Sequence, residues 1–122
     1  MNLEVVEIKA FVPAREFPES LAFYKALGFG ITMESDDLAY VSHGRTAFLL
    51  SHFYHPEHAD NFVMHMLVAN ADDWYQNVLD SGVATRFSVR TSPPEDRPWG
   101  IRDFTLIDPT GVLWRIGHVI PG

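Results

Sequence analysis

The sequence predicts an α+β fold made of two βαβββ modules with curved, mixed sheets. Three observations lead there. One order of elements (strand, helix, then three strands) occurs twice at a spacing of roughly 60 residues. Each half holds one run of helical period, and each run stops at a glycine, Gly28 or Gly82. The remaining segments alternate apolar and polar residues between short stretches of turn composition. At 122 residues the chain is expected to form one domain (1–122), with modules at about 1–55 and 62–120.

In the first module, Glu4 to Val12 is expected as a strand. Val6, Ile8, Ala10 and Val12 fall on one face, and Glu7, Lys9 and Phe11 on the other. Pro13 to Ser20 connects to a helix marked by Leu21, Tyr24 and Leu27, which Gly28 ends in the left-handed region. Strands are expected at about Gly30–Glu34, Leu38–Ser42 and Thr46–Phe53. Ser35-Asp36-Asp37 and His43-Gly44-Arg45 lie between them with hairpin-turn composition.

A polar loop, Tyr54 to Asn61, leads to the second module. Phe62–Ala69 is expected as a strand, Asn70 and Ala71 open a helix that runs to Gly82, and Val83–Val89 is expected as the next strand. Thr91 to Arg97 then reads as a long loop. The closing hairpin is the clearest local signal. Phe104, Leu106 and Asp108 alternate with Asp103, Thr105 and Ile107, and Asp108-Pro109-Thr110-Gly111 carries turn chemistry. Val112 to Ile116 returns as the last strand. Open four-stranded sheets leave edges and one face uncovered, so the halves are expected to pair, across a homodimer.

Composition removes several functions. A net charge of −7 opposes nucleic-acid binding and is compatible with cationic ligands. No apolar run is long enough to span a membrane, and Met1-Asn2-Leu3-Glu4 does not open a secretory signal. The absence of cysteine removes disulfides and thiolate chemistry and suits a cytoplasmic protein. No serine lies in a nucleophile-elbow context, and there is no glycine-rich phosphate loop.

Aromatic side chains offer a binding surface instead. Phe53, Tyr54, Phe62, Trp99 and Trp114 cluster by sequence around the fourth strand's end, the polar loop and the closing hairpin. Phe104 and Trp114 share the parity of Leu106 and Ile116 and are expected in the core. Trp99 follows Arg97-Pro98 at a loop mouth, where its ring can stack on a planar ligand. His65 shares a strand face with Val63. His52, His55 and His58 recur every three residues, a spacing that brings side chains together only on a helix.

Three stretches carry a family resemblance: FVPAREFPESLAFYKALGFGI (Phe11 to Ile31), HFYHPEHAD (His52 to Asp60), and the WGxRxF…DPxGxxxR pattern from Trp99 to Arg115. Together they resemble the vicinal-oxygen-chelate superfamily of glyoxalases, extradiol dioxygenases and bleomycin-resistance proteins, and most of all its bleomycin-resistance branch. Glu16 stands where that branch more usually has Asp. The resemblance implies a glyoxalase/bleomycin-resistance-like fold. In the superfamily's enzymes, strands one, four, five and eight each give about one metal ligand, and the last is a Glu four residues after the turn Gly. Here the matching positions are Glu7, about Ser51, Val63 and Arg115, and only Glu7 could bind a metal. Glu7 facing Arg115 would instead form an ion pair.

The resemblance therefore implies a non-catalytic protein, without a cofactor, that binds and sequesters a planar or cationic, bleomycin-like antibiotic and so confers resistance. The residues expected to line its ligand are Glu7, Phe53, Tyr54, Phe62, His65, Trp99, Asp103 and Arg115. The alternative is a metal-dependent lyase or dioxygenase whose divalent metal is displaced onto Glu7, His52 and His65.

Overall fold

The computed structural model of the protein describes residues 1–122. The first module runs β1 (Phe11–Pro13), α1 (Phe17–Ala26), β2 (Gly30–Ser35), β3 (Leu38–His43) and β4 (Thr46–Ser51). A short helix, α2 (Pro56–Asp60), follows. The second module is β5 (Val63–Leu67), α3 (Ala71–Ser81), α4 (Val83–Arg86), β6 (Thr91–Asp96), β7 (Ile101–Ile107) and β8 (Leu113–Val119). Each module forms one mixed four-stranded sheet, ordered β1-β4-β3-β2 and β5-β8-β7-β6. In both, the last strand pairs in parallel with the first and antiparallel with the third. The repeated order of elements is thus a repeated topology.

Four sequence expectations need correction. The first strand is Phe11–Pro13, not Glu4–Val12. Alternation makes a strand only where a neighbouring backbone supplies hydrogen bonds, and β4 offers partners to three residues. Before them, the only ladder-like bond is Leu49 N–H to the Ala10 carbonyl, 2.9 Å. Leu3, Val5, Val6 and Ile8 consequently stand 70–92% exposed.

Val83–Val89 is not a strand either. Gly82, at φ 70°, caps α3 and turns the chain into the single turn of α4. The strand comes later, at Thr91–Asp96, in the segment expected to be a loop. It is an outer strand with a register shift between Ser92 and Glu95. Its two prolines, Pro93 and Pro94, fall inside that irregularity, where a missing N–H breaks no ladder bond. The polar loop Tyr54–Asn61 contains α2, with Pro56 at its first turn.

One core of 19 buried residues draws on both modules. From α1 come Phe17, Phe23 and Tyr24; from β7 and β8 come Phe104, Leu106, Trp114 and Ile116. Tyr24 lies edge-on to Phe48, with ring centres 5.1 Å apart, and Phe48 packs on Trp114 at 5.3 Å. Each such aromatic pair contributes on the order of 1 kcal/mol beyond its area burial.

The closing turn fastens the modules together. Asp108 Oδ1 accepts the backbone N–H groups of Thr110, Gly111 and Val112 at 2.9–3.0 Å. Its Oδ2 accepts the Tyr24 hydroxyl at 2.6 Å, and Trp114 Nε1 donates to that hydroxyl oxygen at 3.0 Å. Thr110 Oγ1 accepts Arg15 N–H and meets Ser20 Oγ. An Asp-Pro-Thr-Gly turn, readable in the sequence as local chemistry, is therefore also a tertiary clamp on α1.

Replacing Asp108 removes four acceptor contacts and leaves buried donors without partners. Asp108→Ala is expected to lose about 3 kcal/mol of unfolding free energy in a urea titration, with Tyr24→Phe losing roughly a third of that. Equal stability of Asp108→Ala and the parent would show that the clamp carries no load.

Candidate functional site

The second sheet assigns its two faces by strict alternation. Phe104, Leu106, Trp114 and Ile116 point into the core. On the same face, His118 Nδ1 accepts the Ala71 N–H at the start of α3, and Arg102 forms ion pairs with Asp72 and Asp96. The opposite face carries no helix. There, Arg115 is registered with His65 on one side and Thr105 on the other, and Asp103 lies opposite Gly117 and Glu95.

Asp103 is charged yet only 2% exposed on this open face. Arg97 Nε donates to its Oδ1 at 2.7 Å, Arg115 Nε donates to its Oδ2 at 3.2 Å, and Arg97 Nη1 reaches Glu95 at 2.9 Å. Burial pushes the Asp103 carboxyl up, but the hydrogen bonds from Arg97 and Arg115 outweigh it and hold it below the usual carboxylate range. Gly117 makes this packing possible. A Cβ at that position would lie 2.7 Å from Asp103 Cβ and 2.8 Å from the Arg102 carbonyl oxygen. The carboxylate therefore lies down across the strand, where its arginines enclose it.

Around this charged floor the surface is apolar and open. Val63, Leu67 and Val119 are exposed. Trp99 stands at the β6–β7 hairpin tip, 65% exposed. Its turn is closed by Arg97 N–H to the Ile101 carbonyl (2.7 Å) and by Gly100 at φ 85°. A cleft of about 270 Å³ separates β4 from β5, lined by Thr46, Ala47, Phe48, Met64, His65 and Met66 among others.

The structure gathers His65, Asp103 and Arg115 on one face, with Trp99 at its edge. It places the other expected residues elsewhere. Glu7 does not face Arg115: it accepts from Lys9 Nζ at 2.8 Å and from the Tyr40 hydroxyl at 2.9 Å. Those two hydrogen bonds, Lys9's first, hold its carboxyl below the usual range. Phe53 packs edge-on to His55 beside α2, Tyr54 lies under the Arg15 guanidinium, and Phe62 packs on His58. Phe53, His55 and the α2 residues Pro56 to His58 instead line an open depression of about 650 Å³.

The displaced metal site is not assembled. His52 approaches Asp37 at 3.5 Å and stacks on Phe17, while Glu7 and His65 belong to different sheets' surroundings. No three His, Asp or Glu side chains in the molecule are grouped so as to hold a metal ion. The residues present do not fit the chelating site of the metal-dependent enzymes. Sequence reading missed Arg97 and Gly117, because their roles exist only once β6 is recognised as a strand and registered on β7.

Two βαβββ modules, each forming one mixed four-stranded sheet, define an α+β protein of the paired-module class. The chain belongs to the Glyoxalase/Bleomycin resistance protein/Dioxygenase superfamily, whose family model matches residues 7–116. It is 30% identical to a bleomycin resistance protein of Klebsiella pneumoniae over 110 residues, 86% of each chain. Among solved structures, it resembles a bleomycin-binding protein complexed with bleomycin at a TM-score of 0.80 and 24% identity, over 93% of this chain and 98% of that one. It also resembles the bleomycin-binding protein of Streptomyces verticillus complexed with copper(II)-bleomycin, at a TM-score of 0.76 and 21% identity over the full length of both. Those two structural matches share the fold. No helix is long and apolar enough to cross a membrane.

Two tests address the floor. Gly117→Ala is expected to lose about 1–3 kcal/mol of stability by forcing Asp103 out of place, read by thermal or urea unfolding. Because the folded carboxyl of Asp103 sits below its ordinary 3.8, its ionised form stabilises the fold above that pH, and the contribution disappears as pH falls through the folded value. The stability advantage of the parent over Asp103→Asn should therefore be full near neutrality and shrink on acidification below about pH 4. An advantage that grows on acidification would contradict the ion-pair assignment.

Proposed function

We propose that the protein binds a planar antibiotic of the bleomycin kind and holds it away from its target, without turnover and without a cofactor. The observation that carries this is Arg115. It stands at the position where the metal-dependent enzymes have their last ligand, and Asp103 fixes it there at 3.2 Å. A cation locked in the chelating position is incompatible with Lewis-acid chemistry there but suits recognition. The named relatives support the ligand class, since the Klebsiella pneumoniae protein is a bleomycin resistance protein.

In this reading Trp99 offers its ring for stacking, and His65, Asp103 and Arg115 form the polar floor. Glu7, Phe53, Tyr54 and Phe62 do not present their side chains on this open face, and a second copy would have to bring its own set over the open sheet for such residues to touch the same ligand. The homodimer is supported by the uncovered sheet face and by the apolar segment of Leu3, Val5, Val6 and Ile8, surfaces that a monomer leaves in water. The protein acts in the cytoplasm, which its lack of cysteine suits.

Calorimetric titration of bleomycin into protein purified without a His tag tests the reading, with metal content measured on the same sample. The expected result is saturable binding at one or two drugs per dimer, drug recovered chemically unchanged, and affinity about tenfold weaker in Trp99→Ala, the worth of one lost stacking contact. A hydrolysed, oxidised or group-transferred product would replace sequestration with catalysis.

A further inference from the structure

We propose that Arg115 is a docking point for an acceptor oxygen on the ligand, a carboxylate or a carbonyl, and that the open sheet face therefore selects ligands with such an oxygen beside the planar ring. This rests on the reading above that the face binds a small planar molecule, and it adds the chemistry of the ligand's end.

The geometry makes Arg115 a preset donor. A guanidinium has five N–H groups in a rigid plane. At Arg115, Nε and Nη2 turn toward Asp103, at 3.2 and 3.4 Å, and Nη1 has no partner within the protein. Its side chain is 33% exposed, whereas the carboxylate behind it is 2% exposed. Asp103 cannot follow a ligand outward, because Arg97 Nε holds the same carboxylate at 2.7 Å and Gly117 lets it lie flat against the strand. The plane of the guanidinium is thus oriented before anything binds, so little conformational entropy is lost on binding.

Charge on this face points the same way. The chain carries −7 overall, but the floor itself pairs Asp103 and Glu95 with Arg97 and Arg115, two acids with two bases. Asp103 is enclosed by two guanidiniums, whereas Glu95, 64% exposed, gives one oxygen to Arg97. Asp72 and Asp96 are turned to Arg102, whose side chain belongs to the helix-covered face. Thr105 and Ser92 satisfy each other through their hydroxyls. The free hydrogen-bonding capacity at the centre of the face thus includes the Nη1 donor of Arg115, a cation, with the His65 imidazole registered beside it. At the centre, an ammonium head meets a carboxylate, Asp103, that two guanidiniums already hold, with the exposed Glu95 lying outward on β6; an acceptor oxygen finds the unpaired edge of Arg115.

The test uses three planar probes of one size, 2-naphthoate, 2-naphthamide and 2-naphthylmethylammonium, titrated into the full chain by calorimetry and by NMR of the arginine Nε–H signals. Naphthoate is expected to bind about tenfold tighter than the ammonium probe, the worth of one charge-assisted hydrogen bond at a part-exposed site. The amide should fall between them, and the Arg115 signal should move saturably. In Arg115→Met the preference should vanish while unfolding temperature changes little, since Arg97 still holds Asp103. Arg115→Lys, which keeps the charge without the fork, should retain naphthoate binding and lose the amide's. Where Arg115→Met does not fold, the NMR signal and the lysine variant carry the test.

Tighter binding of the ammonium probe, an unmoved Arg115 signal, or a preference unchanged by Arg115→Met would each overturn the proposal. Bleomycin titrated into the same samples separates the two readings. Naphthoate selectivity without bleomycin binding would remove the drug and keep the acceptor site. Bleomycin binding with no probe selectivity would keep the drug and remove the acceptor site.

Discussion

A single buried carboxylate, Asp108, ties the two modules together. It accepts three backbone N–H groups from its own turn and the hydroxyl of Tyr24 from the first module's helix. Taking a carboxylate out of water costs several kcal/mol unless donors replace the solvent, and here four do. The bond to Tyr24 matters most for the architecture. It fixes α1 against the β7–β8 turn, and the indole of Trp114 donates to the same hydroxyl. The aromatic core then packs around a polar pair that admits one relative placement of the modules, which is the specificity that dispersion forces alone supply poorly.

That placement determines what the second sheet can do. With Trp114 and Ile116 committed to the core, alternation sends Arg115 and Gly117 to the other face, and β7 answers with Thr105 and Asp103. The missing side chain at Gly117 lets Asp103 sink, and the sunken carboxylate orients two arginines. The result is a fixed, ion-paired polar floor on the open face. What that face can hold is set by these side chains and not by the scaffold, since function resides in sites placed on folds and not in the folds themselves.

The first module shows the opposite condition. Its leading segment is apolar at Leu3, Val5, Val6 and Ile8, yet makes almost no ladder bonds. Exposed apolar segments beside open sheets are hazards for a solitary chain, because unpaired strand edges recruit other chains. The same properties suit closed assembly of two copies, in which the segment and the helix-free faces leave water together.

Much of this was legible in the amino-acid order. The duplication, the helices ending at Gly28 and Gly82, the Asp-Pro-Thr-Gly turn and the core parity of Phe104 and Trp114 follow from local backbone preference and hydrophobic period. Those forces act over a few residues. Strand identity at the margins did not follow: Glu4–Val12 alternates in part and finds a partner only at its end, whereas Thr91–Asp96 carries two prolines and gains one from β7. The site divided in the same manner. The cation at Arg115 and the exposed Trp99 at a loop mouth could be read directly. The partner of Arg115 could not. Glu7 has the right charge, but Lys9 and Tyr40 lie within its reach, and only the β6–β7–β8 register brings Asp103, Arg97 and Gly117 together. Sequence by itself determined the repeated module order, the two main helices and the closing hairpin; tertiary structure decided where the marginal strands lie and which charges meet, because ladder pairing and ion pairing depend on distances set by strand register and not by separation along the chain.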